Sequence, residues 1–430
     1  MESTSLPIEN CYSTPHPLHF DKEGNFRILT LSDIHGETDQ DIESTLFIQE
    51  IIQKTKPNLI VLLGDQISKI KNEGNNIQIA IANVMKPITE SKIPFAVVFG
   101  NHDIDCGMTL EEQMEIYQSY PGCLARPNNI INQNLDSSKI QNDILFNYET
   151  ENISVSGCGN YNLLIKDSKK EKFIFNLWFA DSGSVDSIFI KPDQVEWYDK
   201  VYQKMLHEVN LYNEGSDTIP KQIHSLWFMH RSIDEIYNFF NTSDFPVNTT
   251  AVSKGYRFGS YLSLKTKKDN PKLRFEAGGL LLEGPDLPDF RENVSDLYNH
   301  WLRNGDVLGA CFGHDHGNSF YGFTEDNIGL GFDSAAGFSH AYPFPGVERG
   351  ARIFDINEKD TTRYCTQMIY CSEILKNKKI GILEKMITHG HYSEAIVFLK
   401  KALFPRFLQK IVGKKVLGFL KKSFCPEHMK

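Results

Sequence analysis

Short hydrophobic runs recur along the chain, and each run ends in polar or small residues. Six of them read RILTLSDIH, NLIVLLGD, PFAVVFGNHD, FNLWFADSG, SLWFMH and GACFGHDH. Their length and their β-branched and aromatic residues predict buried strands rather than helices. GARIFDIN, at residues 350–357, is predicted to be the final strand.

Helical patterns separate the first three runs. DIESTLFIQEIIQKT and NIQIAIANVMKPITES place hydrophobic residues at helical spacing. Strands that alternate with helices predict parallel βαβ units and therefore an α/β fold. Ligands of such sheets gather at the carboxyl ends of the strands, so the polar residues that end each run are candidate site residues. Residues 120–150 and 232–300 are polar and turn-rich, which predicts long insertions.

The charge is distributed unevenly along the chain. The net charge is −10, yet residues 373–430 carry 13 Lys or Arg and 4 Asp or Glu. The rest of the chain is therefore strongly acidic, which makes it a poor partner for a nucleic-acid backbone. We predict an extension over 1–25, a catalytic domain over 26–372 and a basic helical tail over 373–430.

Within the tail, residues 395–424 alternate basic and apolar residues at helical spacing. A basic amphipathic helix of this kind binds an anionic membrane surface or a partner groove, or packs on its own domain. The three alternatives stay open at this stage. The sequence shows no secretory signal and no transmembrane run, and its eight cysteines contain no CxxC pair, so we expect a cytoplasmic protein with optional peripheral membrane binding.

The polar residues that end the runs have the chemistry of metal ligands. Asp33 and His35 are two residues apart, so in an extended segment they project to the same side. The other candidates are Asp65, Asn101, His230, His314 and His316. Oxygen and imidazole ligands without thiolate suit two ions of Fe, Mn or Zn. A carboxylate that bridges two such ions is a known device for phosphoryl transfer.

The ordered motifs DIH, GDQI, GNHD, FMH and GHDH resemble those of the calcineurin-like metallophosphoesterases. The stretches GCGNYNLLI, LWFADSG, DQVEW and RGARIFDIN narrow the resemblance to the branch related to purple acid phosphatases. The resemblance spans about residues 26–372. It implies a four-layer α-β-β-α sandwich, with two mixed sheets flanked by helices.

The resemblance also assigns roles. It implies that Asp33, His35, Asp65 and His316 hold one metal, whereas Asp65, Asn101, His230 and His314 hold the other. His102 matches the histidine beside the leaving group, where it acts as an acid or as electrostatic support. Purple enzymes place a tyrosine ligand three residues after the GD aspartate, where this chain has Ser68. We therefore expect no purple ferric centre.

The resulting hypothesis is phosphomonoester hydrolysis by a metal-bound hydroxide. Phosphodiester hydrolysis on the same core is one alternative, and a non-catalytic scaffold that recruits partners or membrane through its tail is the other. Asp103 and Asp315 are interpreted as carboxylates that orient histidines or as plain turn residues. Arg231 is interpreted as a surface ion-pair residue, with contact to a substrate phosphate as the alternative.

Overall fold

The computed structural model describes most of the predicted catalytic domain. The described residues are 18–38, 42–67, 76–128, 155–183, 190–214, 221–243, 253–254, 261–264, 274–275, 295–316, 318–338 and 349–375. The predicted tail helix, residues 395–424, lies outside these residues, as do Ser68 and most of the predicted insertion at 120–150. The predicted division of the chain into an extension, a domain and a tail stays a prediction.

Fifteen strands and six α-helices are described. The strands are β1 (Asn25–Leu31), β2 (Leu59–Leu63), β3 (Phe95–Val98), β4 (Tyr161–Lys166), β5 (Phe173–Phe179), β6 (His224–Met229), β7 (Phe240–Ser243), β8 (Ser253–Lys254), β9 (Tyr261–Leu264), β10 (Arg274–Phe275), β11 (Val307–Phe312), β12 (Tyr321–Phe323), β13 (Gly329–Phe332), β14 (Gly350–Asn357) and β15 (Asp360–Tyr370). The helices are α1 (Ile42–Thr55), α2 (Asn76–Ser91), α3 (Leu110–Gln118), α4 (Pro192–Glu214), α5 (Leu297–Asn304) and α6 (Cys371–Ile374).

The first large sheet has the strand order β15-β14-β1-β2-β3. Strands β1, β2 and β3 are parallel, and α1 and α2 connect them, as the alternating pattern predicts. Strand β14 pairs antiparallel with β1, and β15 pairs antiparallel with β14. The sheet is therefore mixed, with its parallel strands at one side.

The second large sheet has the strand order β10-β12-β13-β11-β6-β5-β4. Its strands β5, β6, β11 and β13 are parallel, and antiparallel strands flank them. A small sheet of β7, β9 and β8 lies in the chain segment that precedes α5. All six strands predicted from the hydrophobic runs are present.

The second sheet is buried on both faces. In β6, Leu226 and Phe228 belong to the core that also contains the first sheet and helices α1 and α2. The alternate residues Trp227 and Met229 belong to a second core, formed with α4 and α5. Because successive side chains of a strand point to opposite faces, these two cores lie on opposite sides of the sheet. The predicted α-β-β-α sandwich is therefore confirmed.

One prediction about the sheet is wrong. GARIFDIN forms β14, but it is not the final strand, because the 11-residue β15 follows it. Strand β15 lies at the sheet edge, and most of its first eight residues are exposed or half-buried. An edge strand of this kind carries no continuous hydrophobic run, so the search for such runs misses it.

Among the described residues, no helix combines the length and the hydrophobicity of a membrane-spanning segment.

Candidate metal centre

The predicted ligands lie at the carboxyl ends of parallel strands in both large sheets. Asp33, Asp65 and Asn101 follow β1, β2 and β3 of the first sheet. His230 follows β6, and the pair His314 and His316 follows β11, both in the second sheet. The centre therefore lies where the strand ends of the two sheets meet, and neither sheet alone supplies a complete ligand set.

The candidate ligand atoms form two groups that share Asp65. One group contains Asp33, His35, Asp65 and His316, and the other contains Asp65, His230 and His314; within each group the ligand atoms lie within 4.8 Å of one another. Nε2 of His316 lies 3.1 Å from Oδ1 of Asp33, and Nε2 of His230 lies 3.4 Å from Oδ2 of Asp65. A shared carboxylate is the arrangement that a bridging ligand requires.

Each aspartate has one anchored oxygen and one oxygen that points into the centre. Oδ2 of Asp33 accepts hydrogen bonds from Ser32 Oγ and from the His314 amide, and Oδ1 of Asp65 accepts one from the His102 amide. In contrast, Asp33 Oδ1, Asp65 Oδ2 and Asn101 Oδ1 are buried and accept no hydrogen bond of ordinary geometry from any described residue. Buried oxygens without donors are costly, and cations would satisfy them. The residues therefore fit two metal ions.

The imidazole of His230 is held in one tautomer. Its Nδ1 lies 2.9 Å from the carbonyl oxygen of Leu63. Since a carbonyl only accepts hydrogen bonds, Nδ1 carries the proton and Nε2 is the nitrogen available to a metal. This backbone contact orients the ring before any ion binds.

The backbone of the ligand loops is strained. Eight non-glycine residues in the described part of the chain have positive φ, and four of them are the predicted ligands Asp33, His35, Asp65 and His314. Positive φ is unfavourable for residues with a Cβ, and such strain concentrates at functional sites. The tight loops also require Gly64 and Gly100, because a Cβ on Gly64 would overlap the His230 ring and one on Gly100 would overlap Asp65.

The charges at the centre shift the pKa values of its groups. Burial opposes the charged form of His230, but the carboxylates of Asp65 and Asp33 outweigh burial and raise its pKa to about 9. Burial likewise opposes the ionised forms of Asp33 and Asp65, yet the neighbouring imidazoles hold the pKa of both carboxylates below its usual range. The carboxylates of this buried site therefore favour positive charge, which is the electrostatic requirement of a metal centre.

His102 lies beside the centre, and its ring is 5.7 Å from the ring of His35. Its Nδ1 lies 2.9 Å from Oδ2 of Asp105. Because a carboxylate accepts and Nδ1 donates, this contact fixes a proton on Nδ1 of His102. Sequence reasoning missed Asp105. The only sequence signal for Asp105 is its position three residues after His102 of the GNHD motif. That signal is weak on its own.

The three residues predicted around the ligands have different outcomes. Asp103 is fully buried and accepts hydrogen bonds from the amides of Asp65, Ile67 and Gly100, so it supports the ligand loops directly. Asp315 accepts a hydrogen bond from Asn318 within its own turn. Arg231 is only 8% exposed, so the interpretation as a surface ion-pair residue is wrong. Arg231 comes just after a buried strand that ends at the centre. The tertiary structure buries its side chain, and the local sequence does not show this.

Comparison with known proteins gives the family of the chain. A sequence profile of the calcineurin-like phosphoesterases matches residues 26–318. The chain is 25% identical over 413 residues to the Arabidopsis thaliana protein named "Probable inactive purple acid phosphatase 29", covering 88% of this chain and 90% of that protein. It is 24% identical over 359 residues to "Phosphatase DCR2" of Saccharomyces cerevisiae, covering 78% of this chain and 52% of that protein.

A solved purple acid phosphatase from yellow lupin seeds, PPD1, is also similar to the chain. The TM-score is 0.39 at 12% identity, and the match covers 84% of this chain and 56% of that one. The family profile alone covers well over half of the present chain. The chain therefore belongs to the calcineurin-like phosphoesterase family, and relatives named as purple acid phosphatases are among the proteins it is similar to.

Proposed function

We propose that this chain is a dimetal phosphomonoesterase. The observation that carries the proposal is the pair of ligand groups that share Asp65, together with the buried oxygens that face them. The metal ions that fit these ligands are Fe, Mn or Zn, since the ligand set contains oxygen and imidazole but no thiolate. Both ions would be held by residues from two sheets, so the folded protein would build the centre before substrate binds.

The proposed roles of the residues follow from their positions. Asp33, His35, Asp65 and His316 would hold one ion, and Asp65, Asn101, His230 and His314 would hold the other. When bound, the two ions would neutralise the phosphoryl oxygens and activate water for in-line attack. His102 would donate a proton from Nε2 to the departing oxygen, while Asp105 keeps the proton on Nδ1.

A second candidate function is a non-catalytic metal-binding scaffold. The word "inactive" in the name of the Arabidopsis relative favours it. The retention of every predicted metal ligand and of His102 favours catalysis, because a scaffold needs neither a shared carboxylate nor a histidine beside the leaving group. The name of the yeast relative, a phosphatase, agrees with catalysis.

Metal analysis and turnover separate the two candidates. The purified chain is expected to bind two metal ions, to lack a tyrosinate-to-iron absorption band and to hydrolyse para-nitrophenyl phosphate after loading with Mn²⁺ or Fe²⁺. A protein that binds two ions and hydrolyses neither monoesters nor diesters would be a scaffold. A diester preferred over every monoester would replace the proposed substrate class with phosphodiesters.

His102→Ala tests the assignment of the leaving-group residue. The variant is expected to lose turnover on a monoester with a poor leaving group, such as methyl phosphate, while it keeps two metal ions. General acids contribute roughly 10²- to 10⁴-fold to such reactions, and a nitrophenolate leaves without a proton. Full turnover of methyl phosphate by the variant would contradict the assignment.

A further inference from the structure

A cavity of about 480 Å³ adjoins the candidate metal centre. It begins at Gly100, directly before Asn101, and extends along the segment that follows His102. This volume lies in the range of small-molecule sites in proteins. The metal ligands do not line the cavity, so metal binding does not explain why the cavity is there.

One wall of the cavity is apolar. Its side chains are Ile104, Met108 and Leu110, from the turn after His102 and the start of α3. The start of α3 is fixed by a capping box, in which Thr109 and Glu112 exchange hydrogen bonds between side chain and backbone. Ile104 is 43% exposed, so its side chain is accessible to a molecule in the cavity.

Another part of the lining is polar and is connected by hydrogen bonds. Gln194 Nε2 donates to Asn160 Oδ1 at 2.8 Å and to the Asp181 carbonyl oxygen at 2.6 Å. Oδ2 of Asp181 accepts a hydrogen bond from the Cys158 amide at 2.9 Å. These residues belong to the motifs GCGN, FADSG and DQVEW, which the metal centre does not use. Three separate segments are thus joined by buried hydrogen bonds, and together they form one cavity wall.

The charges of the lining restrict the ligand. The titratable side chains of the lining include one basic residue, Lys191, and two acidic ones, Glu111 and Asp181, so the lining does not select a strongly anionic group. An apolar wall together with a polar network suits a ring or an aliphatic chain that bears hydroxyl or amide groups. A cavity of this size is too small for the surface of a folded protein.

We propose that this cavity binds the organic leaving group of a small-molecule phosphomonoester, an aromatic or heterocyclic alcohol no larger than a nucleoside. The inference rests on the proposed function, since the metal centre next to the cavity would hold the phosphoryl group. In this arrangement the ester oxygen would lie between the metal centre and the cavity. On this proposal, phosphorylated proteins would be poorer substrates than small-molecule monoesters.

The test compares Ile104→Asn with the control Ile79→Asn. Both isoleucines are exposed to similar degrees, 43% and 46%, but Ile79 lies on α2 and does not line the cavity. The readout is the ratio of kcat/KM for 1-naphthyl phosphate to kcat/KM for methyl phosphate. We expect Ile104→Asn to lower this ratio about 10-fold, the effect of losing a few apolar contacts, whereas Ile79→Asn leaves it unchanged.

Binding of the product 1-naphthol, followed by its fluorescence, provides a readout that does not need turnover. Weaker naphthol binding by Ile104→Asn in a protein without any turnover would support the cavity and refute the proposed function. Turnover with an unchanged substrate ratio and unchanged naphthol binding would refute the cavity and keep the proposed function. A higher kcat/KM for a phosphorylated protein than for 1-naphthyl phosphate would also overturn the inference.

Discussion

Buried carboxylates occur in two regions of this protein with opposite surroundings. In the candidate metal centre, Asp33 and Asp65 each leave one buried oxygen without a hydrogen-bond donor. In the aromatic core beneath α4 and α5, both oxygens of Asp306 are satisfied by Tyr198 OH, Trp178 Nε1 at 3.0 Å and Ser225 Oγ at 2.8 Å. All three carboxylates are buried, so burial alone does not distinguish a ligand from a structural residue.

The electrostatic surroundings differ as well. Imidazoles face Asp33 and Asp65 and hold the pKa of both carboxylates low, against the effect of burial. Among the described residues, no such cation faces Asp306, where burial outweighs the three hydrogen bonds and raises the pKa to about 6. A carboxylate oxygen that lacks a donor and lies beside imidazoles can bind a cation. A carboxylate among tryptophans whose two oxygens both accept hydrogen bonds instead connects a helix to a sheet. The comparison predicts that the first kind controls function and the second controls stability.

The largest effect is expected from Asp65→Asn, which removes the charge shared by both ligand groups. We expect loss of metal and at least a 100-fold lower kcat/KM, since even partners outside the ligand shell cost about 10- to 100-fold. The free energy of unfolding of the metal-free protein should change little, because asparagine keeps the acceptor for the His102 amide. Metal analysis, kinetics and urea unfolding measure this. A variant that retains both metals and full activity would contradict the shared role.

The opposite outcome is expected from Asp306→Ala. The substitution leaves Trp178 Nε1 without an acceptor, and the two hydroxyl groups lose theirs as well. A buried donor left unsatisfied costs about 1–3 kcal/mol, so we expect the free energy of unfolding to fall by about 3 kcal/mol. The urea midpoint measures the loss, and the folded variant should still bind two metals. If the variant lost its metals while its stability stayed unchanged, Asp306 would control function rather than stability, and the comparison would be wrong.

Asp306 also predicts a pH dependence of stability. Burial raises its pKa to about 6 in the folded protein, from the ordinary value of 3.8 that applies to the unfolded chain. Between pH 3.8 and pH 6, the folded state therefore keeps a proton that the unfolded state has lost. The stability from this group is therefore complete below about pH 4 and falls as the pH rises to 6, by at most about 3 kcal/mol.

The difference in unfolding free energy between the wild type and Asp306→Asn isolates this group. Measured without metal, that difference is expected to shrink from pH 4 to pH 7, because asparagine does not titrate. A constant difference across this range would show that the pKa of Asp306 is not raised.

The smallest effect is expected from Asp105→Asn, which weakens the contact that orients His102. We expect kcat for methyl phosphate to fall on the order of 10-fold, a part of what a general acid contributes, with KM and metal content unchanged. Turnover of para-nitrophenyl phosphate should fall less, since its leaving group needs no proton. Equal losses on both substrates would show that Asp105 supports the fold rather than the orientation of His102.

The sequence by itself determined the strands, their parallel order and the ligand types. These are local properties: a buried strand appears as a short hydrophobic run, and the residues just beyond it are readable in the same window. The carboxyl ends of parallel strands share one edge, so Asp33, Asp65 and Asn101 could be grouped without coordinates. The resemblance to a known family then divided the ligands between two ions, and the structure groups the six Asp and His residues among them in the same way.

Only the tertiary structure decided which oxygen of each aspartate is left without a donor, because the donors come from segments distant in the chain. The same holds for the burial of Arg231, the contact between His102 and Asp105, and the cavity between α3 and the Asn160–Gln194 network. Strand β15 was not predicted because its exposed polar residues interrupt the hydrophobic pattern. Burial and hydrogen-bond partners depend on long-range packing, and no short window of sequence contains them.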